Sequence, residues 1–145
     1  MQLFESSIFV NMKKLRERLY SAQFHMQKAE RIIYGTPLMQ ASGEALGAFV
    51  IAFTVKEEKE KYMDLCVAWF TRLRVDLEFC VQENIIKFKK RAPKTDKDGN
   101  PIPWDDPRDA VSSQKVEMFA LVAKIDDDMC KWRSAALRGK TLREK

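Results

Sequence analysis

Apolar residues at Ile8, Met12, Leu15, Leu19, Ala22, Met26, Ala29 and Ile33 step by four and three in strict alternation. That rhythm places eight side chains on one stripe of a helix about seven turns long. Lys13, Lys14, Glu17, Arg18, Gln27 and Lys28 occupy the opposite face. A narrow stripe of this period suits neighbours packed nearly parallel or antiparallel, as in a bundle. Gly35 is expected to close the helix, and Thr36-Pro37 to open the next, with Thr as N-cap and Pro at the first helical position.

The second helix is expected from about Pro37 to Val55, with Leu38, Ala41, Ala45, Leu46, Phe49, Val50, Ala52 and Phe53 on a wide apolar face. Ala41, Ser42, Gly43, Ala45, Gly47 and Ala48 are small enough to let another helix approach closely. So broad a face is buried on more than one side, and a subunit interface is the expectation for the side the bundle leaves open. A third helix is expected over roughly Glu57 to Lys90, its stripe running through Tyr62, Leu65, Trp69, Leu73, Asp76/Leu77, Cys80 and Asn84, with Cys66, Phe70, Leu77 and Val81 on its flank. The segment 91–109 holds four prolines and an Asp98-Gly99 turn, which exclude a helix. It is longer than most helix–helix connections, so it is functional or mobile. A fourth helix follows from about Ala110 to Leu137, through Val111, Met118, Val122, Ile125, Met129, Trp132 and Ala136. The expected fold is all-α: an antiparallel up-down-up-down four-helix bundle, oligomeric, spanning residues 1–138, with a disordered basic tail at 139–145.

Composition keeps to that picture. The chain has 145 residues, enough for one domain with a core that needs no disulfide or metal. No apolar run is long enough to span a membrane, and the first ten residues lack the early Lys or Arg of a signal peptide. Cys66, Cys80 and Cys130 lie far apart in apolar helical patterns, which fits buried thiols in a reducing, cytoplasmic compartment.

Charge adds a functional direction. The formal net charge is +5, and residues 131–145 alone carry Lys131, Arg133, Arg138, Lys140, Arg143 and Lys145 against Glu144. The rest of the chain therefore sums to zero. A second basic block gathers Lys87, Lys89, Lys90, Arg91, Lys94 and Lys97 against Asp96. Such clusters attract phosphate backbones; the plainer alternative is a solvated surface with a frayed basic end.

Catalytic and metal chemistry find little footing. His25 is the only histidine, with no Cys or His at ligand spacing and no Ser–His or Cys–His pair around it. Asp126, Asp127 and Asp128 are consecutive on a helix, about 100° apart, and do not converge on one ion. Asp96, Asp98 and Asn100 alternate as in a calcium loop, but Pro101 and Pro107 stand where that loop needs Gly and Glu. No glycine-rich phosphate loop occurs. The chain is expected to be no enzyme and to carry no cofactor.

Three passages resemble a known family. Met26-Gln-Lys-Ala-Glu30-Arg31-Ile-Ile-Tyr34-Gly35-Thr-Pro-Leu38-Met is similar to the K-x-E-R…G passage between the first two helices of the rRNA-intervening-sequence four-helix bundles. That family includes the accessory variability determinant of diversity-generating retroelements. Glu60-Lys61-Tyr62-Met63, followed by Arg72-Leu73-Arg74, resembles its third helix, and Ile125 to Trp132 its closing I-G-x-x-L-G-G-W. Cys130 and Lys131 stand where the family has paired glycines, and the 91–109 loop is longer than the family's.

The resemblance covers residues 10–138. It implies a pentameric ring with a basic surface that binds RNA, or an RNA/DNA hybrid, and partners a reverse transcriptase. Arg31, Arg72 and Arg74 match basic positions of the family and are the first candidates for nucleic-acid contact. Charge clustering adds Lys87, Lys89, Lys90, Arg91, Lys131 and Arg133. Each has a plainer role open to it. Arg31 offsets the negative end of the first helix; Arg72 and Arg74 project from different faces, and one pairs with Asp76 or Glu78. Trp69 and Trp132 sit on core stripes, while Trp104 either anchors its loop or stacks on a base. The competing reading is a structural protein-interaction bundle with no nucleic-acid role.

Overall fold

A computed structural model describes residues 2–88, 94–102 and 113–144, with backbone alone for 4, 113 and 137–144. The described chain is helical, with four long helices around one core: α1 (Ser7–Gln23), α2 (Thr36–Thr54), α3 (Lys59–Gln82) and α4 (Ser113–Glu144). Short 3-10 turns, Leu3–Glu5 and Lys56–Glu58, precede α1 and α3. The second of these makes the α2–α3 connection without Gly or Pro, at the place charge alone suggests.

The first helix is shorter than its stripe. Ile8, Met12, Leu15 and Leu19 are buried as expected, but α1 ends at Gln23 and the chain turns at 24–27. Met26 stays buried from within the turn, whereas Ile33 is 60% exposed. Helix then restarts at Lys28–Glu30 and runs through a π turn, Arg31–Gly35, straight into α2. Gly35 and Thr36 have ordinary helical backbone angles, so neither ends nor caps a helix. The Thr36 N–H bonds the Arg31 carbonyl five residues back. Pro37 has no N–H and would crowd the preceding turn of a regular helix; the wider π turn is the local adjustment that admits it. Gly35 sits at a close approach: a Cβ there would lie 3.2 Å from Met26 Sδ and 3.4 Å from Gln23 Cβ, so the Met26 side chain would have to shift by a few tenths of an ångström.

α2 packs on both α1 and α3 of its own chain. Leu38, Ala41, Ser42, Ala45, Ala48, Phe49 and Ala52 are all buried, and the small residues bring the neighbours close. Leu46, Val50 and Phe53, also on the expected wide face of α2, are only half-buried by the chain's own neighbours. Ser42 is satisfied: its hydroxyl donates to the Met39 carbonyl at 2.8 Å and accepts from Arg16 Nε at 3.2 Å.

α3 buries Met63, Cys66, Phe70, Leu73, Leu77 and Cys80. It stops at Gln82, short of the expected Lys90. The cause is Asn84, which takes a positive φ of 61°. The Ile85 N–H bonds the Cys80 carbonyl at 2.8 Å and the Asn84 N–H bonds the Val81 carbonyl at 3.2 Å. This pair satisfies the last carbonyls of the helix and folds Ile85 and Ile86 back into the core.

Residues 94–102 form a tight turn, with Gly99 at φ 81° and the backbone N–H groups of Asp98 and Asn100 both bonded to Asp96 Oδ1. Trp104 and the remainder of the proline-rich segment lie outside the described residues. α4 adds Met118, Val122, Ile125 and Met129 to the core, and Trp132 meets Phe49 edge-on at 5.0 Å between centroids. Its helix then runs on through Gly139 to Glu144, across the stretch expected to be disordered.

Candidate nucleic-acid and partner surface

The basic candidates are not gathered into one patch. Arg31 points back at the end of α1, where Nε donates to the Gln23 carbonyl at 3.0 Å and Nη2 to the Phe24 and Met26 carbonyls at 3.3 and 3.5 Å. Its guanidinium carbon also lies 5.8 Å from the Phe24 ring centroid. It acts on the negative end of α1, the plainer of the two roles. Arg72 and Arg74 do leave α3 on different faces. Arg72 lies over the Trp69 ring at 5.7 Å and beside Asp76 at 3.8 Å, while Arg74 Nη1 crosses to Asp126 of α4 at 3.3 Å.

Arg133 Nη2 crosses the same seam in the other direction, to Asp64 Oδ1 at 3.0 Å, and Lys131 pairs with Asp127 on its own helix at 2.9 Å. Lys87 is exposed past the end of α3, with no ion pair to a described residue. Lys89, Lys90 and Arg91 lie outside the described residues. Of the nine, then, four pair with carboxylates and one with backbone carbonyls. All four ion pairs are solvent-accessible, where such pairs are weak and screened by salt, so a phosphate can compete for the cations.

The acidic run takes four separate partners. Asp126 meets Arg74, Asp127 meets Lys131, and Asp128 takes Lys124 at 3.0 Å and the Ser7 hydroxyl at 2.8 Å. Burial works to raise the Asp128 pKa, but the hydrogen bonds from Lys124 and Ser7 and the charges of Lys124 and Lys131 outweigh it and hold it below the usual value. Among the described residues no three His, Cys, Asp or Glu side chains are placed to hold a metal ion.

The cysteines divide. Burial pushes the Cys66 thiol up to about 12; burial, then the charges of Asp76 and Glu30, push Cys80 up to about 11. Cys130 is exposed, contrary to the expectation that all three are buried. It lines a 400 Å³ open groove between α3 and α4 with Arg74, Glu78, Phe119, Asp126 and Asp127. A second open groove, 530 Å³, lies between α1 and α4 and is lined by Lys14, Arg18, Glu17 and Glu117 with Lys124. Both mix charges of either sign.

Sequence periodicity did not point to the feature that stands out most on this surface. Ile32 is 64% exposed and Ile33 60%, both on the π turn, and Val75 and Phe79 of α3 are 57% and 44% exposed. Tyr34 joins the two elements, its ring 5.8 Å from that of Phe79. Tyr20 and Phe24, also exposed at the end of α1, meet with their rings edge-on at 4.9 Å. The signal was available in outline: two isoleucines in a segment that cannot keep to the α1 stripe once the chain turns. Among the described residues no helix is long and apolar enough to cross a membrane. No family model, no curated protein and no solved structure matches this chain.

Proposed function

We propose that this chain is a non-enzymatic accessory subunit of the accessory-variability-determinant kind, binding RNA and a reverse transcriptase in the cytoplasm. The observation that carries it is the end of α4. All of the net charge, +5, lies at 131–145, and the helix continues through that stretch to Glu144, while Met129 is the last buried core residue among the described side chains. A cationic helical end beyond the core offers charge to a phosphate backbone with little sequence preference. The exposed band at Ile32, Ile33, Val75 and Phe79 offers a separate apolar surface for a protein partner.

The bundle is antiparallel up-down-up-down in this proposal. Asp64 pairs with Arg133 and Arg74 with Asp126, so one helix ascends in number as the other descends. Arg18–Glu117 and Ser7–Asp128 support the same sense for α1 and α4. Assembly into a pentameric ring follows from the family resemblance, and repeated subunits multiply weak contacts into tight binding.

Filter binding of a single-stranded RNA at rising salt tests the proposal, with Arg138→Gln/Lys140→Gln/Arg143→Gln beside the unaltered chain. Affinity that falls steeply with salt, and a shallower slope in the triple variant, is the expected result. Affinity indifferent to salt would remove the nucleic-acid role. The second reading, a protein-interaction bundle alone, is favoured by the carboxylate partners of Arg72, Arg74, Lys131 and Arg133. It expects charge reversal at Arg72 and Arg74 to leave partner binding intact.

A further inference from the structure

The family resemblance nominates Arg31 as a contact to phosphate, yet its donors are already directed inward. α1 ends at Gln23 in a tightened turn, where the Phe24, His25 and Met26 N–H groups bond the Ser21, Ala22 and Gln23 carbonyls at 3.3, 3.1 and 3.2 Å. The Arg31 fork covers three carbonyls across the turn, at Gln23, Phe24 and Met26. The same residue opens the π turn: its own carbonyl accepts both the Thr36 N–H and the Thr36 hydroxyl, the latter at 3.3 Å. Gly35 closes that turn against Met26 Sδ and Gln23 Cβ, with Arg31 Cγ only 3.5 Å from where its Cβ would be. One residue thus ties the end of α1 to the register of the next helix.

We infer that Arg31 is a clamp, a positioning residue that holds the π register and, through it, the outward display of Ile32 and Ile33. A planar guanidinium spans several carbonyls that the single ammonium of Lys cannot cover together. A π turn is a local departure from the regular ladder and persists only where its surroundings support it. Without the fork, the turn at 24–27 and the π turn loosen together, and the isoleucine pair loses its fixed presentation. Charge at position 31 is then secondary to shape.

Hydrogen exchange on the full chain tests this with Arg31→Lys and Arg31→Ala. The amides of 31–36, that of Thr36 above all, are expected to exchange about tenfold faster in both variants, while those around Phe70 and Leu73 in α3 keep their rates. Arg31→Lys is the decisive variant, and it answers alone if Arg31→Ala does not fold. Lysine exchanging at the unaltered rate would overturn the clamp, and so would acceleration spread evenly over α3. A single-stranded RNA titrated with salt supplies the other arm. If the Arg31→Ala slope drops by about one with exchange unchanged, Arg31 is a phosphate contact instead. Exchange at 31–36 reports the clamp whether or not the chain binds RNA.

Discussion

Ser7 Oγ donates a 2.8 Å hydrogen bond to Asp128 Oδ2 across 121 positions of sequence, fastening the first turn of α1 to α4. Asp128 is also held by Lys124. Asp128→Asn keeps the shape and loses the charge, and is expected to cost about 1–2 kcal/mol in urea unfolding. The sign of the pH dependence follows from a carboxyl held below its usual value. Its contribution is complete above the unfolded-state pKa of about 3.9 and disappears as pH falls through the lower native value. The variant is expected to lack that part of the acid transition below the unfolded-state pKa, read as a flatter midpoint-against-pH curve.

Thiol reactivity separates the three cysteines. With Cys66 and Cys80 buried and raised in pKa, and Cys130 exposed, a thiol reagent at pH 8 is expected to label one group per native chain promptly. The other two react only on unfolding. Cys130→Ser should abolish the prompt phase; two prompt thiols would contradict the packing of α3.

The end of α3 rests on one backbone angle. Asn84 at φ 61° tolerates glycine but not a branched residue. Asn84→Gly is expected to be neutral within a few tenths of a kcal/mol, and Asn84→Val to destabilise by about 1–2 kcal/mol. Thermal unfolding of the pair is the measurement.

A charge swap distinguishes pairing from ligand contact. Arg74→Glu breaks a pair with Asp126 that is accessible to solvent, and is expected to cost about 0.2–1 kcal/mol. Adding Asp126→Arg should recover most of that. If Arg74 serves RNA, the double variant regains stability, and its RNA affinity need not follow; if both return together, position 74 serves the seam alone.

Much of this fold is legible in the spacing of apolar residues. Ile8 to Leu19 and Met118 to Met129 are buried where their stripes put them, as are Leu38, Ala41, Ala45, Phe49 and Ala52 of α2, with Leu46, Val50 and Phe53 half-buried. On α3 the expected stripe is shifted, since Leu65 is exposed and the flanking Cys66 and Phe70 are buried. The misreadings occur where two local signals compete. Met26 fits the α1 stripe and is indeed buried, so periodicity carries the helix past a turn that contains neither Gly nor Pro. Gly35-Thr36-Pro37 has the composition of a boundary, yet a π turn absorbs the proline and the helix continues. Asn84 ends α3 in a left-handed angle that sequence attributes first to glycine. For the candidate surface, clusters of charge are visible in sequence but their partners are not. Arg133 and Asp64 are 69 positions apart in the chain and 3.0 Å apart in the fold, a distance no linear pattern encodes.

The first and last of the three consecutive aspartates tie α4 to two neighbours at once, Asp126 to α3 and Asp128 to α1. Each residue of a helix advances by about 100°, so deleting a single residue upstream would turn Asp126 away from Arg74 and Asp128 away from Ser7. The run works as a rotational key: it sets the phase of α4 about its own axis, and with it the direction in which the basic end of that helix leaves the body of the protein.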